Sequence, residues 1–244
     1  MNRDLLERLL AARRDRRAVA VITDLETGDQ RLLGEDEAPE DVLSAALVSG
    51  FRFDRSGIAS TEEGEYFINI HNPPLKLVIV GAVHIAQAVI PMARLAGYDI
   101  TVIDPRGAFA SAERFPGVTL SVDWPDEALK TIELDRRTAM IALTHDPKVD
   151  DPALTAALRS TCFYVGALGS KKTHAGRLER LTAAGLDAQA LARIHAPIGL
   201  AIGARGPAEI AISSDSCVLV LARTSTTTVA RPCHGSSSWR TISS

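Results

Sequence analysis

Four stretches carry residue types that could do chemistry. The first is VIVGAVHIAQA. Gly81 stands where an apolar run meets a helical pattern, and a residue without Cβ permits the sharp turn needed there. A helix starting near His84 would aim open N–H groups and its positive dipole end at that turn, which suits an anion such as phosphate. Asp104 follows 23 residues after Gly81 in ITVIDPR. That is near the roughly 20-residue spacing at which an acid meets a ribose hydroxyl; Arg106 closes the same segment and is counted with the site. Val83 occupies the place of the fingerprint's second glycine, so GAVHIA keeps only the first. Ordinary NAD binding is weakly signalled, and both a modified phosphate cradle and a purely structural turn stay open. His84 reads either as a structural residue at the helix start or as a phosphate contact.

The second stretch is THDPKVDDPAL. Thr144, His145 and Asp146 fall just past a strand, where ligands bind in parallel α/β sheets. His145 and Asp146 could bind a metal or shuttle a proton, but no third ligand stands at fixed spacing, so neither a metal site nor a catalytic set is assigned. Asp150 or Asp151, with Pro152, fits a helix start, and both aspartates read as caps or solvent-facing charges. The third stretch is YVGALGSKKTHAGR. Gly166 and Gly169 flank a turn, Ser170 can cap the next helix, and Lys171, Lys172 and Arg177 put positive charge on its early turns. The alternative is a basic, solvated helix face. The fourth is RIHAPIGLAIGARGPAEIA, where His195, Pro197, Gly199 and Gly203 predict a compact loop whose backbone approaches something closely. Pro207 and Glu209 suit the first turn of a helix.

The elements that must position these residues follow from periodicity. Residues 4–16 have leucines at helical spacing, AVAVITDLETGDQRLL reads as two strands about a turn, and PEDVLSAALVSG reads as a short helix ending at Gly50. FRFDRSGIASTEEGEYFINIH adds short strands. Residues 1–72 are therefore expected to form a small α+β domain, ended by the stiff junction Asn72-Pro73-Pro74. From 74 to 212, near-continuous apolar strands (LKLVIVGA, ITVIDP, TAMIAL, CFYVGALG) alternate with helical segments. This predicts a doubly wound, mostly parallel Rossmann-like α/β sheet with its loops along one edge. The segment 213–244 is Ser/Thr-rich and is expected to pack weakly or stay disordered.

With 244 residues, 46% hydrophobic, 23% charged and a net charge of -3, the composition is that of an ordinary globular protein with no pull toward nucleic acid or anionic membrane. No apolar run reaches the roughly 18 residues of a membrane span, and the charged, amphipathic N-terminus lacks a signal core. The expectation is a cytoplasmic protein, with Cys162, Cys217 and Cys233 as free thiols.

The blocks VIVGAVHIAQA, THDPKVDDPAL, YVGALGSKKTHAGRLERL and RIHAPIGLAIGARGPAEIAIS, in this order, resemble the C-terminal Rossmann-like domain of the XdhC/CoxI family. The resemblance covers about Pro74 to Ile212. It implies a maturation factor that binds molybdenum cofactor, protects it during sulfuration and delivers it to a xanthine dehydrogenase-type molybdoenzyme. A cysteine desulfurase then becomes a candidate second partner, and a homodimer a candidate assembly. Molybdopterin carries a phosphate, which the turn at Gly81, Val83 and His84 would hold. Asp104 would meet a ribose or pterin-side group, and the loops around His145, Gly169 and His195 would close over the cargo. NAD(P) binding by an oxidoreductase and a scaffold that binds no small molecule are the alternatives.

Two departures from the family stand out. The family's Gly-Ser-Ser-Pro-Arg-like block and cysteine-bearing glycine-rich segment have no counterpart in residues 1–72. After AEIAIS the family continues as a helix beginning Ile-Leu-Ala, where this chain has SDSCVLVLAR. Asp-Ser-Cys-Val can be encoded GAT-TCT-TGC-GTN, and one frame along this reads ATT-CTT-GCG, Ile-Leu-Ala. A frameshift near Ser213, with loss of the last helix, is the expectation.

Overall fold

A computed structural model describes residues 2–223. The chain divides between Pro73 and Pro74 into two units. In the first, helix α1 (Arg3–Arg14) starts at Asn2, whose Oδ1 accepts the Leu5 amide at 2.8 Å. Strands β1 (Val19–Asp24), β2 (Gln30–Gly34), β3 (Gly57–Thr61) and β4 (Gly64–His71) form an antiparallel sheet in the order β2-β1-β4-β3. Both faces of β1 are covered. Val19 and Val21 meet Leu5, Leu9 and Ala12 of α1, while Ala20 and Ile22 meet Leu47 and Phe51 of helix α2 (Ser44–Phe53). That double burial is why VAVI is apolar without alternation. Gly50 does not end α2 as expected. The helix runs on to Phe53 and stops at Asp54 in the left-handed region, φ 53°. Gly50 stays inside because a Cβ there would come 3.0 Å from the Arg55 carbonyl oxygen and 3.0 Å from Ile70.

The second unit is built on six parallel strands: β5 (Lys76–Val80), β6 (Asp99–Ile103), β7 (Thr119–Ser121), β8 (Thr138–Ala142), β9 (Tyr164–Ala167) and β10 (Ile194–His195). Their order is β10-β9-β8-β5-β6-β7, the Rossmann arrangement, in which chain direction across the sheet reverses between β5 and β8. On one face lie α3 (His84–Leu95) and α8 (Pro207–Arg223), which bury Val89, Ala93, Cys217 and Val218 against Leu77 and Ile79. On the other lie α4 (Pro125–Thr131), α5 (Pro147–Arg159) and α6 (Lys171–Ala183), which bury Ala128, Leu154 and Leu181 against Val78 and Val80. The short α7 (Ala188–Leu191) leads into β10. This chain is thus an α/β protein with an antiparallel N-terminal sheet and a Rossmann-like parallel one.

The segment after Ser213 departs from expectation. Helix α8 passes through it unbroken to Arg223, with Ser213, Ser214, Asp215, Cys217 and Val218 buried. Its polar start is accommodated because the hydroxyls turn onto backbone: Ser214 Oγ donates to the Ile210 carbonyl at 2.7 Å and Ser213 Oγ to the Leu200 carbonyl at 2.6 Å. The rest of the expected weak tail, with Cys233, lies outside the described residues. Cys162 and Cys217 are buried thiols outside any disulfide. Among the described residues no helix is long and apolar enough to cross a membrane.

Candidate functional site

The turn after β5 is built as a glycine turn must be. Gly81 has φ +113°, and a Cβ on it would come 2.6 Å from Thr144 Cγ2. Its amide donates to the Ile103 carbonyl at 2.8 Å, and the Ala82 amide donates to Asp104 Oδ2 at 2.8 Å. Val83 is the α3 cap residue and has no capping side chain, so the first turn of α3 takes no side-chain cap. Val83 is half-buried against the core, while His84 is exposed and sits 3.1 Å from Gln87 Oε1 through Nδ1.

Asp104 is not available to a ribose. It is 0% exposed and spends its oxygens on the Ala82 amide, the Arg106 amide and the Arg106 guanidinium, the last through Nε at 2.9 Å and Nη2 at 2.8 Å. Burial alone would raise its pKa, but these donors outweigh it and hold the carboxyl below its ordinary value. Asp104 therefore supports the turn, and Arg106 is the group of this pair that reaches the surface. Its guanidinium lies over the Phe109 ring at 4.8 Å, and the Asp146 and Asp150 carboxylates add to the attraction of Asp104 in raising its pKa.

The loop after β8 corrects a second expectation. Helix α5 starts at Pro147, not at Asp150 or Asp151, and Asp146 is its cap, accepting the Lys148 amide at 2.9 Å. Asp150 is no solvent-facing charge; it is 2% exposed. Its Oδ1 accepts the Thr144 hydroxyl at 2.7 Å and the Thr144 amide at 3.3 Å, and its Oδ2 accepts the His145 amide at 3.1 Å. These bonds hold His145 in the left-handed region, φ 66°, with its side chain exposed. Arg177, read either as part of an anion site or as one charge of a solvated helix face, is buried beneath the same loops. Nη2 donates to the Leu168 carbonyl at 2.9 Å and lies 3.7 Å from Asp150 Oδ2, while Nε and Nη1 have no hydrogen-bond partner among the described residues.

Beyond this loop, at the ends of β9 and β10, a cavity of about 580 Å³ opens. Its walls include His145, Gly169, Ser170, His195 and the segment 198–204. Ser170 caps α6, accepting the Thr173 amide at 3.2 Å, and Lys171 is the first residue of that helix. His195 stacks on Tyr164, with ring centroids 4.8 Å apart and planes 20° apart. Burial lowers its pKa, which keeps the imidazole neutral at neutral pH. Gly166 pairs with His195 across the sheet, and a Cβ on it would come 2.7 Å from the Tyr164 ring. Gly166 is thus the floor that lets the Tyr164 ring lie beneath His195. Gly199, φ +90°, brings the loop against α8, where a Cβ would meet Ser213 Oγ and its backbone. Among the described residues no group of three or more His, Cys, Asp or Glu side chains gathers as a metal site.

The fold and these loops have relatives. The XdhC Rossmann domain matches residues 77–215, more than half of the chain. This chain belongs to the XdhC family. The Escherichia coli molybdenum cofactor insertion chaperone PaoD is 34% identical over 141 residues, 58% of this chain and 38% of PaoD. The E. coli protein YqeB is 33% identical over 147 residues, 60% of this chain and 27% of YqeB. A Bacillus subtilis protein described as a probable xanthine dehydrogenase component is 30% identical over 151 residues, 60% of this chain and 43% of that protein. The chain thus spans less than half the length of the curated relatives it matches. A crystal structure described as a xanthine dehydrogenase from Bacillus halodurans shares the fold, with a TM-score of 0.68, 24% identity, and coverage of 94% of this chain and 67% of that one.

Within this XdhC domain, the expected site residues fall into two groups. Gly81, Val83, His84, Asp104, Arg106, Thr144 and Asp146 surround the β5/β8 crevice, while His145, Gly166, Gly169, Ser170, Lys171 and His195 gather at β9 and β10. Asp150 and Tyr164 were missed as parts of the site, and Arg177 was left between an anion site and a solvated helix face. Spacing held a signal for the burial of Asp150 and Arg177. Asp150 shares its helix face with Ala153, Leu154 and Ala157, and Arg177 shares one with Leu181, all buried.

Proposed function

We propose that this XdhC-family chain binds molybdenum cofactor as cargo and serves the maturation of a xanthine dehydrogenase-type molybdoenzyme. The observation that carries the reading is the cavity at the carboxyl edge of the parallel sheet, walled by residues of three of the four blocks that mark the family. A pocket of that volume houses a drug-sized ligand. The resemblance to PaoD, a cofactor insertion chaperone, gives the class of ligand. A phosphate-bearing cargo suits this edge, where α3 starts without a side-chain cap and the first two amides of α6 precede the one that Ser170 caps. The same reading puts the chain in the cytoplasm beside its apo-enzyme, with a cysteine desulfurase as a second partner and a homodimer as its assembly.

An NAD(P)-dependent oxidoreductase is the rival, favoured by the strand order. The buried, fully engaged Asp104 argues against it, because a ribose hydroxyl finds no free carboxylate at the end of β6. Calorimetric titration of the purified chain with molybdopterin and, separately, with NAD and NADP decides between them. Saturable binding of molybdopterin with far weaker nicotinamide binding is expected. Tight nicotinamide binding with none of molybdopterin would overturn the proposal.

A further inference from the structure

We infer that the cargo's planar ring system sits in the β9/β10 cavity, between His195 and the 198–204 loop, and not at the Gly81 turn where a Rossmann domain ordinarily holds its ligand. This rests on the reading of the chain as a binder of a phosphorylated pterin.

The two places differ in what they leave free. At the crevice, the Gly81 and Ala82 amides are both taken, one by the Ile103 carbonyl and one by Asp104. Arg114 Nη1 donates to the Ala82 carbonyl at 3.1 Å, so this part of the turn is satisfied from within. Arg106 is engaged by Asp104 through two guanidinium bonds. The crevice is a braced joint between β5, β6 and β8.

At the cavity the balance is reversed. Its wall is mostly apolar, with Leu168, Ile194, Ile198, Leu200, Ile202 and Ile210 presenting a surface for a flat ring. Two imidazoles, His145 and His195, border it from different strand ends. A neutral imidazole carries one donor and one acceptor, and a pterin edge offers the same pair in return. His195 is kept neutral by burial and is held in plane by Tyr164, so its orientation is set before the ligand arrives. The polar end of the cavity is Ser170, at the start of the thirteen-residue α6. Directly behind the cavity wall, at Leu168, the 1%-exposed Arg177 has Nε and Nη1 unpartnered among the described residues. The charge of this guanidinium is matched by Asp150 Oδ2 at 3.7 Å, so the attraction for an anion at the helix start comes from the α6 dipole and its first amides. The phosphate would lie at the Ser170 end and the ring toward His195.

The test is molybdopterin titration of the intact chain and three variants whose folding is verified by circular dichroism. Ala201→Trp fills the cavity from the loop, His195→Phe keeps the stack on Tyr164 while removing both ring nitrogens, and Arg106→Glu reverses the charge at the crevice. Wild type is expected to bind. His195→Phe should lose about tenfold or more in affinity, Ala201→Trp should bind no measurable ligand, and Arg106→Glu should lose less than either. If wild type binds and Arg106→Glu alone abolishes it, the cavity assignment is wrong while the cofactor-binding reading stands. If wild type itself fails to bind molybdopterin, both are wrong.

Discussion

The Arg177 guanidinium and the Asp150 carboxylate face each other at 3.7 Å inside the Rossmann-like unit, with 2% and 3% of their side chains exposed. Burial pushes the Asp150 pKa up, opposed by the Thr144 and His145 donors, and pulls that of Arg177 down. The pair ties the loop after β8 to the loop after β9. Arg177→Met leaves the Asp150 charge without its partner and should cost about 3–5 kcal/mol of stability, read from urea unfolding. Adding Asp150→Leu should not restore it. The Thr144 and His145 amides would then lose their acceptor, whereas a bare ion pair would have been dispensable.

Asp215 is the clearest pH-sensitive group. It is buried on α8, and burial raises its pKa to about 7 from 3.8. An acid raised in the folded state keeps its proton where the unfolded chain has lost it. Stability therefore falls as pH climbs from about 4 to about 7, by on the order of 4 kcal/mol, and levels off above that. Asp104, lowered by its Arg106 and amide donors, acts in the opposite sense at the acid end. The difference between wild type and Asp215→Asn isolates the first effect. The variant should gain on wild type steadily through that window in thermal melts at constant ionic strength, and parallel curves would contradict the assignment.

Gly166→Ala should displace the Tyr164 ring, since the added methyl would come 2.7 Å from Cε1 and 2.9 Å from the hydroxyl. A loss of about 1–3 kcal/mol is expected for overpacking of this kind. Weaker ligand binding should accompany it, because His195 rests on the ring that moves. Melting temperature and titration on the same sample check both at once.

Gly81→Ala should cost a similar amount for a different reason. A side chain at φ +113° is strained, and its Cβ would press on Thr144. If the ligand seats in the cavity, the melting temperature should fall while molybdopterin affinity changes little.

Resequencing of the source gene addresses the reading frame near Ser213. A corrected frame that restores Ile-Leu-Ala would take Asp215 out of an apolar helix face, and the corrected protein should be more stable at neutral pH. An unbroken frame confirmed in the DNA would end that idea.

Much of the architecture was legible because its causes are local. LVIV and TAMIA are apolar without alternation because helices cover both faces of their strands, and Gly81 announces its turn because little else tolerates that backbone. Asp150 was misread, and Arg177 left between two readings, because a charge enters the interior only when paired, and their partnership spans 27 positions that no periodicity joins. The continuation of α8 past Ser213 was hidden by Ser213, Ser214 and Asp215, yet the two serine hydroxyls find backbone acceptors in the folded chain. His195 stood out among glycines and prolines, but the hollow beside it is set by Gly166, Tyr164 and Gly199 together.

Leu200 is fastened to Ser213 twice, its carbonyl accepting the hydroxyl and its amide donating to the Ser213 carbonyl at 3.2 Å. The rim of the hollow and the final helix are thereby one mechanical piece. A guest that quiets the rim lends its binding energy to that helix, and a helix loosened by an awkward carboxylate weakens the grip on the guest. Occupancy is then read without touching the pocket, as slower protease cleavage within α8.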